Sequence, residues 1–231
     1  MRKKSIPICI CFMAIILLAM CAPPPVRQYY MLNYTPMPMQ QRLNETPYPY
    51  VIRLREFSIE EAYSRPQIVY RLNPYELRYY NFRLWAVKPT RMVTDLMFKH
   101  LNTANLTNSI VRRFDEGGRR PDYELSGIVE ALEEYDSDDL LFAHIAMRVN
   151  LTRLSDGANI YSRHFSLRKR VYRRDPEFII REKSLIMEYI FNQVILDLDS
   201  RLAAEFSGSQ APKLNIIADD PNIISETIEI E

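Results

Sequence analysis

An α+β domain, a largely antiparallel sheet with two main helices packed on one face, is the fold that the sequence predicts. Three observations predict it. Between residues 123 and 171, three successive stretches alternate apolar and polar side chains, the period-2 signature of half-buried strands. Two segments opened by Pro89 and Pro176 carry apolar residues at helical spacing instead. The order is strands, helix, strands, helix, which favours helices layered on one face of an antiparallel sheet.

The first residues are of a different kind. Arg2, Lys3 and Lys4 precede an unbroken apolar run over 8–20 (ICICFMAIILLAM). A spanning helix needs roughly 20 apolar residues, so this run is short for that and fits a signal-peptide core. It stops at Cys21, followed by Ala22-Pro23-Pro24-Pro25. Leu18-Ala19-Met20-Cys21 resembles a lipobox, with Met20 where a small residue is usual. The expectation is a signal peptide over 1–20 and lipidation of Cys21; a cleaved soluble form and a retained membrane anchor are the alternatives. All three cysteines (Cys9, Cys11, Cys21) fall in this stretch, so a processed chain keeps one. A lone cysteine in an exported chain forms no intramolecular disulfide and no Cys-based zinc site.

Residues 21–50 read as a Pro-rich leader. Residues 28–34 (QYYMLNY) suit one strand, and Pro36, Pro38, Pro47 and Pro49 then impose an extended loop. A single domain is expected over 51–207. It starts with a strand over 51–57 and a hairpin, 68–72 and 75–83, around Asn73-Pro74. Tyr75, Leu77 and Tyr79 share one face of its second strand. The helix opened by Pro89 runs through Ala104, with Val93, Leu96, Met97, Leu101 and Ala104 on one stripe. A strand over 108–114 and a loop over 115–121 follow.

The meander is the clearest pattern. Tyr123, Leu125, Val129 and Ala131 alternate with polar neighbours; so do Leu141, Ala143, Ile145, Met147, Val149 and Leu151; so do Tyr161, Phe165, Leu167 and Val171. Turns are supplied by 136–139 and Ser155-Asp156-Gly157. Asp175-Pro176 is an N-cap acid followed by proline at the first helical position. Phe178, Met187, Phe191, Val194, Leu198, Leu202 and Phe206 mark the long stripe of the last helix, expected to end near Ser207-Gly208 and to pack on the meander. Residues 208–231 lack periodicity and end acidic, the pattern of a mobile tail.

Composition is that of a globular domain, 47% hydrophobic and 26% charged. Removing Arg2, Lys3 and Lys4 leaves 27 basic against 29 acidic residues, a balance that excludes a nucleic-acid binder on bulk charge. No cofactor is expected, since the five glycines make no phosphate-binding loop. His100, His144 and His164 have no metal-ligand spacing, and no metal is expected. No serine stands in a nucleophile-elbow context, so no catalytic residue is assigned. Glu133-Glu134 and Asp138-Asp139 read as solvated turn acids at a hairpin end.

Two features remain. Arg163, Arg168, Lys169, Arg170, Arg173 and Arg174 form a basic run in which alternation puts Arg168 and Arg170 on the polar face. It is either a solvated strand edge or a contact for anionic lipid head groups or an acidic partner. Trp85, the one tryptophan, is either a core plug or an aromatic anchor at a partner surface.

The stretch from Tyr29 to about Ile110 resembles the auxiliary lipoproteins of ABC-type lipid transport systems, the paraquat-inducible-operon type that accompanies MCE-domain proteins. The residues that carry the resemblance are Tyr29-Tyr30-Met31-Leu32 just after the anchor, the strand over 51–57, Arg65-Pro66-Gln67-Ile68-Val69, and Trp85-Ala86-Val87-Lys88-Pro89. The pattern departs at 58–62 (SIEEA), which carries no proline, and at Leu84, where a basic residue is usual. The resemblance implies an outer-membrane-anchored, periplasm-facing accessory subunit without catalysis. Its partners would be an MCE-domain protein and ABC transporter subunits, with phospholipid as a further candidate ligand. A structural or assembly lipoprotein of the outer membrane is the alternative function, and an exported enzyme the third.

Overall fold

The computed structural model describes residues 25–39, 42–44, 46–113, 118–137, 140–207 and 228–230. Cys21 and the segment before it lie outside the described residues, as do Asp138, Asp139 and most of the acidic tail.

The order of elements is β1 (Gln28–Tyr30), β2 (Tyr48–Leu54), β3 (Ser58–Ile59), a 3-10 turn (Glu61–Tyr63), β4 (Gln67–Asn73), β5 (Glu76–Trp85), α1 (Pro89–Ala104), β6 (Thr107–Val111), β7 (Tyr123–Ser137), β8 (Leu140–Arg153), β9 (Asn159–Val171), α2 (Pro176–Phe206) and β10 (Ile228–Ile230). All the described strands join one sheet, ordered β1-β5-β4-β7-β8-β9-β10 along its main path.

The long antiparallel ladders are the predicted ones: β7 with β8, β8 with β9, and the β4–β5 hairpin. The short strands add parallel pairings that the pattern did not announce, so the sheet is mixed. One side of β7 takes β2 at 123–125, β3 at 128–129 and β4 at 133–135, all parallel. β1 lies parallel to the end of β5, β6 to β2, and β10 to β9. β7 is therefore the spine: β8 lines one side and three successive segments of the first half of the chain line the other.

Both helices cover one face. α1 keeps the predicted bounds, with proline at its first position and a left-handed Asn105 (φ 51°) whose N–H bonds back to Leu101 O at 3.1 Å. α2 is capped by Asp175, whose carboxylate accepts from Glu177 N at 3.0 Å. Its Met187, Phe191, Val194, Leu198 and Leu202 are buried completely against the sheet. Each such side chain contributes about 1.5–3 kcal/mol relative to an exposed one.

A β-bulge in β7 corrects one face assignment. Val129 pairs with Met147 but Ala131 pairs with Ala146, so one extra residue is accommodated at Glu130. Every side chain beyond it changes face. Val129 joins the main core under the helices, whereas Ala131 joins a small cluster on the opposite face with Tyr63, Val69 and Ala146.

Candidate functional site

Three parts of the fold place the chemistry-bearing residues: the leader, the paired acids of β7 and the basic strand β9.

The leader is a strap rather than a free linker. Of the strand expected over 28–34 only Gln28–Tyr30 forms, and β2 starts within the expected loop at Tyr48; between them 31–37 alternates, with Leu32, Tyr34 and Pro36 buried and Met31, Asn33, Thr35 and Met37 exposed. The inward residues lie between the helices. Leu32 N donates to Met92 Sδ of α1 at 3.2 Å, and Asn33 N to Ser184 Oγ of α2 at 3.1 Å. Tyr34 Oη meets His100 Nδ1 at 3.2 Å, and His100 Nε2 meets Asn192 Oδ1 at 3.0 Å, so one imidazole links leader, α1 and α2. Burial lowers the His100 pKa, against the opposing pull of Asn192, and keeps the ring neutral. The strap is clamped again where Asp199 of α2 accepts from Leu43 N at 2.8 Å and Tyr48 Oη at 2.7 Å.

Glu133 and Glu134 are not solvated turn acids. They are 2% and 1% exposed and lie within β7. The register places Tyr70 of β4 beside Glu134 and the β8 strand on the other side; as successive strand residues the two carboxylates take opposite faces, and the bulge before them sets Glu134 toward the helices. Glu133 accepts from Tyr63 Oη at 2.6 Å and Arg71 Nε at 2.9 Å, and meets His144 Nδ1 at 3.1 Å. Burial alone would raise its pKa; the hydrogen bonds of His144, Arg71 and Tyr63 together outweigh burial and hold it at about 2. Glu134 points under the helices, where Tyr80 Oη donates to it at 2.9 Å. Lys183 of α2, fully buried, stands 3.9 Å from the same carboxylate and 5.6 Å from the centre of the Trp85 ring. Its ammonium has no hydrogen-bond partner among the described residues, and burial depresses its pKa against the pull of Glu134 and Glu133.

The network on the open face continues from His144 Nε2 to Ser166 Oγ at 3.3 Å. Serine, histidine and glutamate thus stand in the order of an acyl-transfer triad. The setting is wrong for that chemistry. Glu133 already compensates Arg71, and Ser166 sits inside a strand flanked on both sides, whose backbone N–H groups serve the ladder rather than an oxyanion. These contacts suit a rigid polar network. No group of three or more potential ligands is placed to hold a metal among the described residues.

The basic run is divided by the pleat. Lys169 pairs with Glu182 at 2.9 Å and Arg163 with Asp197 at 2.8 Å, both toward α2. Arg168 and Arg170 face the open side as alternation predicts. Arg168 is half-buried with its guanidinium 5.2 Å from the Tyr135 ring centre, and Arg170 is exposed, 5.1 Å from that of Tyr172. Trp85 is 4% exposed within the main core, the bland alternative of the two; burial leaves it no face for a partner. A cavity of about 830 Å³ opens at the far end, walled by Tyr50, Asp122, Tyr123, Arg153, Leu154 and Glu205. Its strongest charges, Arg153 and Glu205, bind each other at 2.6 Å. No helix among the described residues is long and apolar enough to cross a membrane.

Sequence reasoning missed the buried acids and the strap. Glu133 carried a faint signal, being followed by an acid and preceded by Ala131 and Leu132, but its donors come from Tyr63, Arg71 and His144, on separate elements of the chain.

Comparison with known proteins adds three findings. The family model described as ABC-type transport auxiliary lipoprotein component matches residues 30–194. No curated protein matches the sequence. Among solved structures, a Xanthomonas campestris protein is similar at 18% identity and a TM-score of 0.66, covering 77% of this chain and 99% of its own. An uncharacterized protein is similar at 12% identity and a TM-score of 0.59, covering 75% and 99%. At these identities the likeness shows the fold.

Proposed function

The chain belongs to the ABC-type transport auxiliary lipoprotein family, and from this premise we propose that it is a periplasm-facing accessory subunit of an ABC-type lipid transport system, without catalysis of its own. In this reading residues 1–20 are removed as a signal peptide and Cys21 is acylated. The folded domain then docks an MCE-type assembly to the outer membrane. ATP hydrolysis belongs to other subunits.

The match over residues 30–194 is the observation that carries the reading. It begins in β1 and so takes in the strap, both helices up to Val194 and the whole meander. The strap supports it further. A leader clamped by Ser184, His100 and Asp199 couples any pull at the anchor to both helices rather than to a slack linker. Arg170, exposed on the open face, and the half-buried Arg168 beside it are the contacts proposed for an acidic partner or a lipid head group.

A mild-detergent pull-down of the C-terminally tagged protein, with mass spectrometry of proteins and lipids, tests the reading. Recovery of an MCE-domain protein, a permease or an ATPase supports it. Recovery of an outer-membrane barrel or cell-wall component, with no transporter subunit, overturns it in favour of a structural lipoprotein. Cys21→Ser tests the anchor separately: acylation should disappear and the precursor persist, and acyl chains on the variant would refute the assignment.

A further inference from the structure

The strand registers fix the direction from which the leader enters the sheet. β1 runs parallel to β5, with Gln28 opposite Arg83, so the chain enters β1 from the side on which β5 begins. β5 begins at the turn after Asn73, which pairs with Glu76. Because β4 is parallel to β7 and β7 is antiparallel to β8, that same end carries the start of β8. The pairing of Leu141 with Val171 brings the exit of β9 and the start of α2 there too.

Two tyrosines project from this end almost bare. Tyr75, at the β4–β5 turn, is 98% exposed and Tyr172, just beyond β9, is 83% exposed. They close the row β5-β4-β7-β8-β9, four strand spacings or about 19 Å apart. Seven peptide units separate Cys21 from Gln28, a reach of at most about 25 Å. Gln28 is level with Arg83, seven residues along from Glu76 where β5 begins and eight from Tyr75 in the turn.

We propose that this end of the sheet rests on the bilayer that holds Cys21, with Tyr75 and Tyr172 seated in its head-group layer. The inference deepens the functional reading and rests on acylation of Cys21. Tyrosine suits the position, since its ring partitions toward the acyl boundary while its hydroxyl stays hydrated. An acyl-anchored chain needs little further affinity to settle in one orientation, because the tether already confines that end near the surface. Charge is not the driving force: Arg78 is paired with Glu76, and the acids Asp175 and Glu177 open α2 at this same end. Contact should therefore persist in high salt. The opposite end, with Leu154 in the β8–β9 turn, points into the periplasm, toward the transport assembly.

Site-directed labelling of the full-length, membrane-extracted protein tests the orientation. With Cys21 blocked by acylation, Tyr75→Cys, Tyr172→Cys and Leu154→Cys each introduce one free thiol for a fluorophore. The labelled proteins are reconstituted into vesicles of phosphatidylethanolamine and phosphatidylglycerol containing head-group spin-labelled lipid. Quenching several-fold stronger at positions 75 and 172 than at 154 is the expected result. Equal quenching at all three positions on a protein whose Cys21 carries acyl chains would overturn the orientation and leave the anchor standing. A protein whose Cys21 is unmodified by mass spectrometry would overturn anchor and orientation together.

Discussion

Glu133 and Glu134 are neighbours in the same strand, equally buried, and yet they are held in opposite ways. Glu133 faces the open side of the sheet and receives hydrogen bonds from a tyrosine and an arginine, with a histidine in contact. Glu134 faces the helices and, among the described residues, receives one hydrogen bond, from Tyr80, while the nearby Lys183 ammonium makes none. Burial is the same; the number of donors is not. A buried charge stabilises when its lone pairs are filled, and is retained at a cost when they are not. The two faces of one strand thus hold a finished network and an incomplete one, and the incomplete one lies beneath α2 and beside Trp85.

The contrast can be broken most strongly at Glu133. Glu133→Leu leaves the donors of Tyr63, Arg71 and His144 facing an apolar side chain, and should cost about 3–5 kcal/mol in chemical denaturation. A loss under about 1 kcal/mol would mean that the network is dispensable.

Acid titration probes the same carboxylate without mutation. Its pKa in the fold is about 2 against an ordinary 4.5. The stability it contributes is complete above the ordinary value and disappears as pH falls from there through 2. The amount is on the order of 3 kcal/mol. Unfolding curves between these limits should slope less in Glu133→Gln than in the parent.

The other face predicts a cycle of opposite character. Glu134→Gln or Lys183→Met alone should each destabilise by about 1–3 kcal/mol, by leaving one buried group with less compensation. Together they should return stability to within about 1 kcal/mol of the parent or above it. A double variant as unstable as the sum of the singles would show that the two groups act independently across their 3.9 Å separation.

The smallest effect belongs to the exposed arginine. Arg170→Glu should change stability by no more than about 0.5 kcal/mol, and any loss of membrane or partner association measured with it then reports on contact rather than folding.

Much of the scaffold was legible because it depends on local pattern. Proline at 89 and the αL-prone Asn105 bound α1 where the stripe begins and ends. The apolar alternation of β8 and β9 names their buried residues, because their mutual pairing runs unbroken from Leu141 opposite Val171 to Leu151 opposite Tyr161. In β7 the same rule failed after Val129, since one bulged residue reverses parity and leaves no mark on composition. That reversal decides which of the two acids faces the helices, Glu134 rather than Glu133. The pair read as turn acids is buried because β7 continues past it to Ser137, flanked there by β4 and β8. Gly127 is a quieter case: a Cβ there would stand 2.2 Å from the Phe57 ring and 2.7 Å from Arg148 O, a close approach between β7, its β8 partner and the segment after β2 that only packing reveals.

The sequence by itself determined the class of fold, the two helices and their caps, the meander and the expectation of an anchored, exported chain. Those follow from spacing, capping chemistry and hydrophobic run length, all of which act over a few residues. Tertiary structure alone decided which short strands lie along β7, that the leader lies strapped between α1 and α2, that Trp85 is core, and which donors reach Glu133. These depend on contacts between residues as distant as Asn33 and Ser184 or Tyr63 and Glu133. Such pairings have no period along the chain; they exist only once the hydrophobic faces have closed and each buried polar group has met, or failed to meet, its partner.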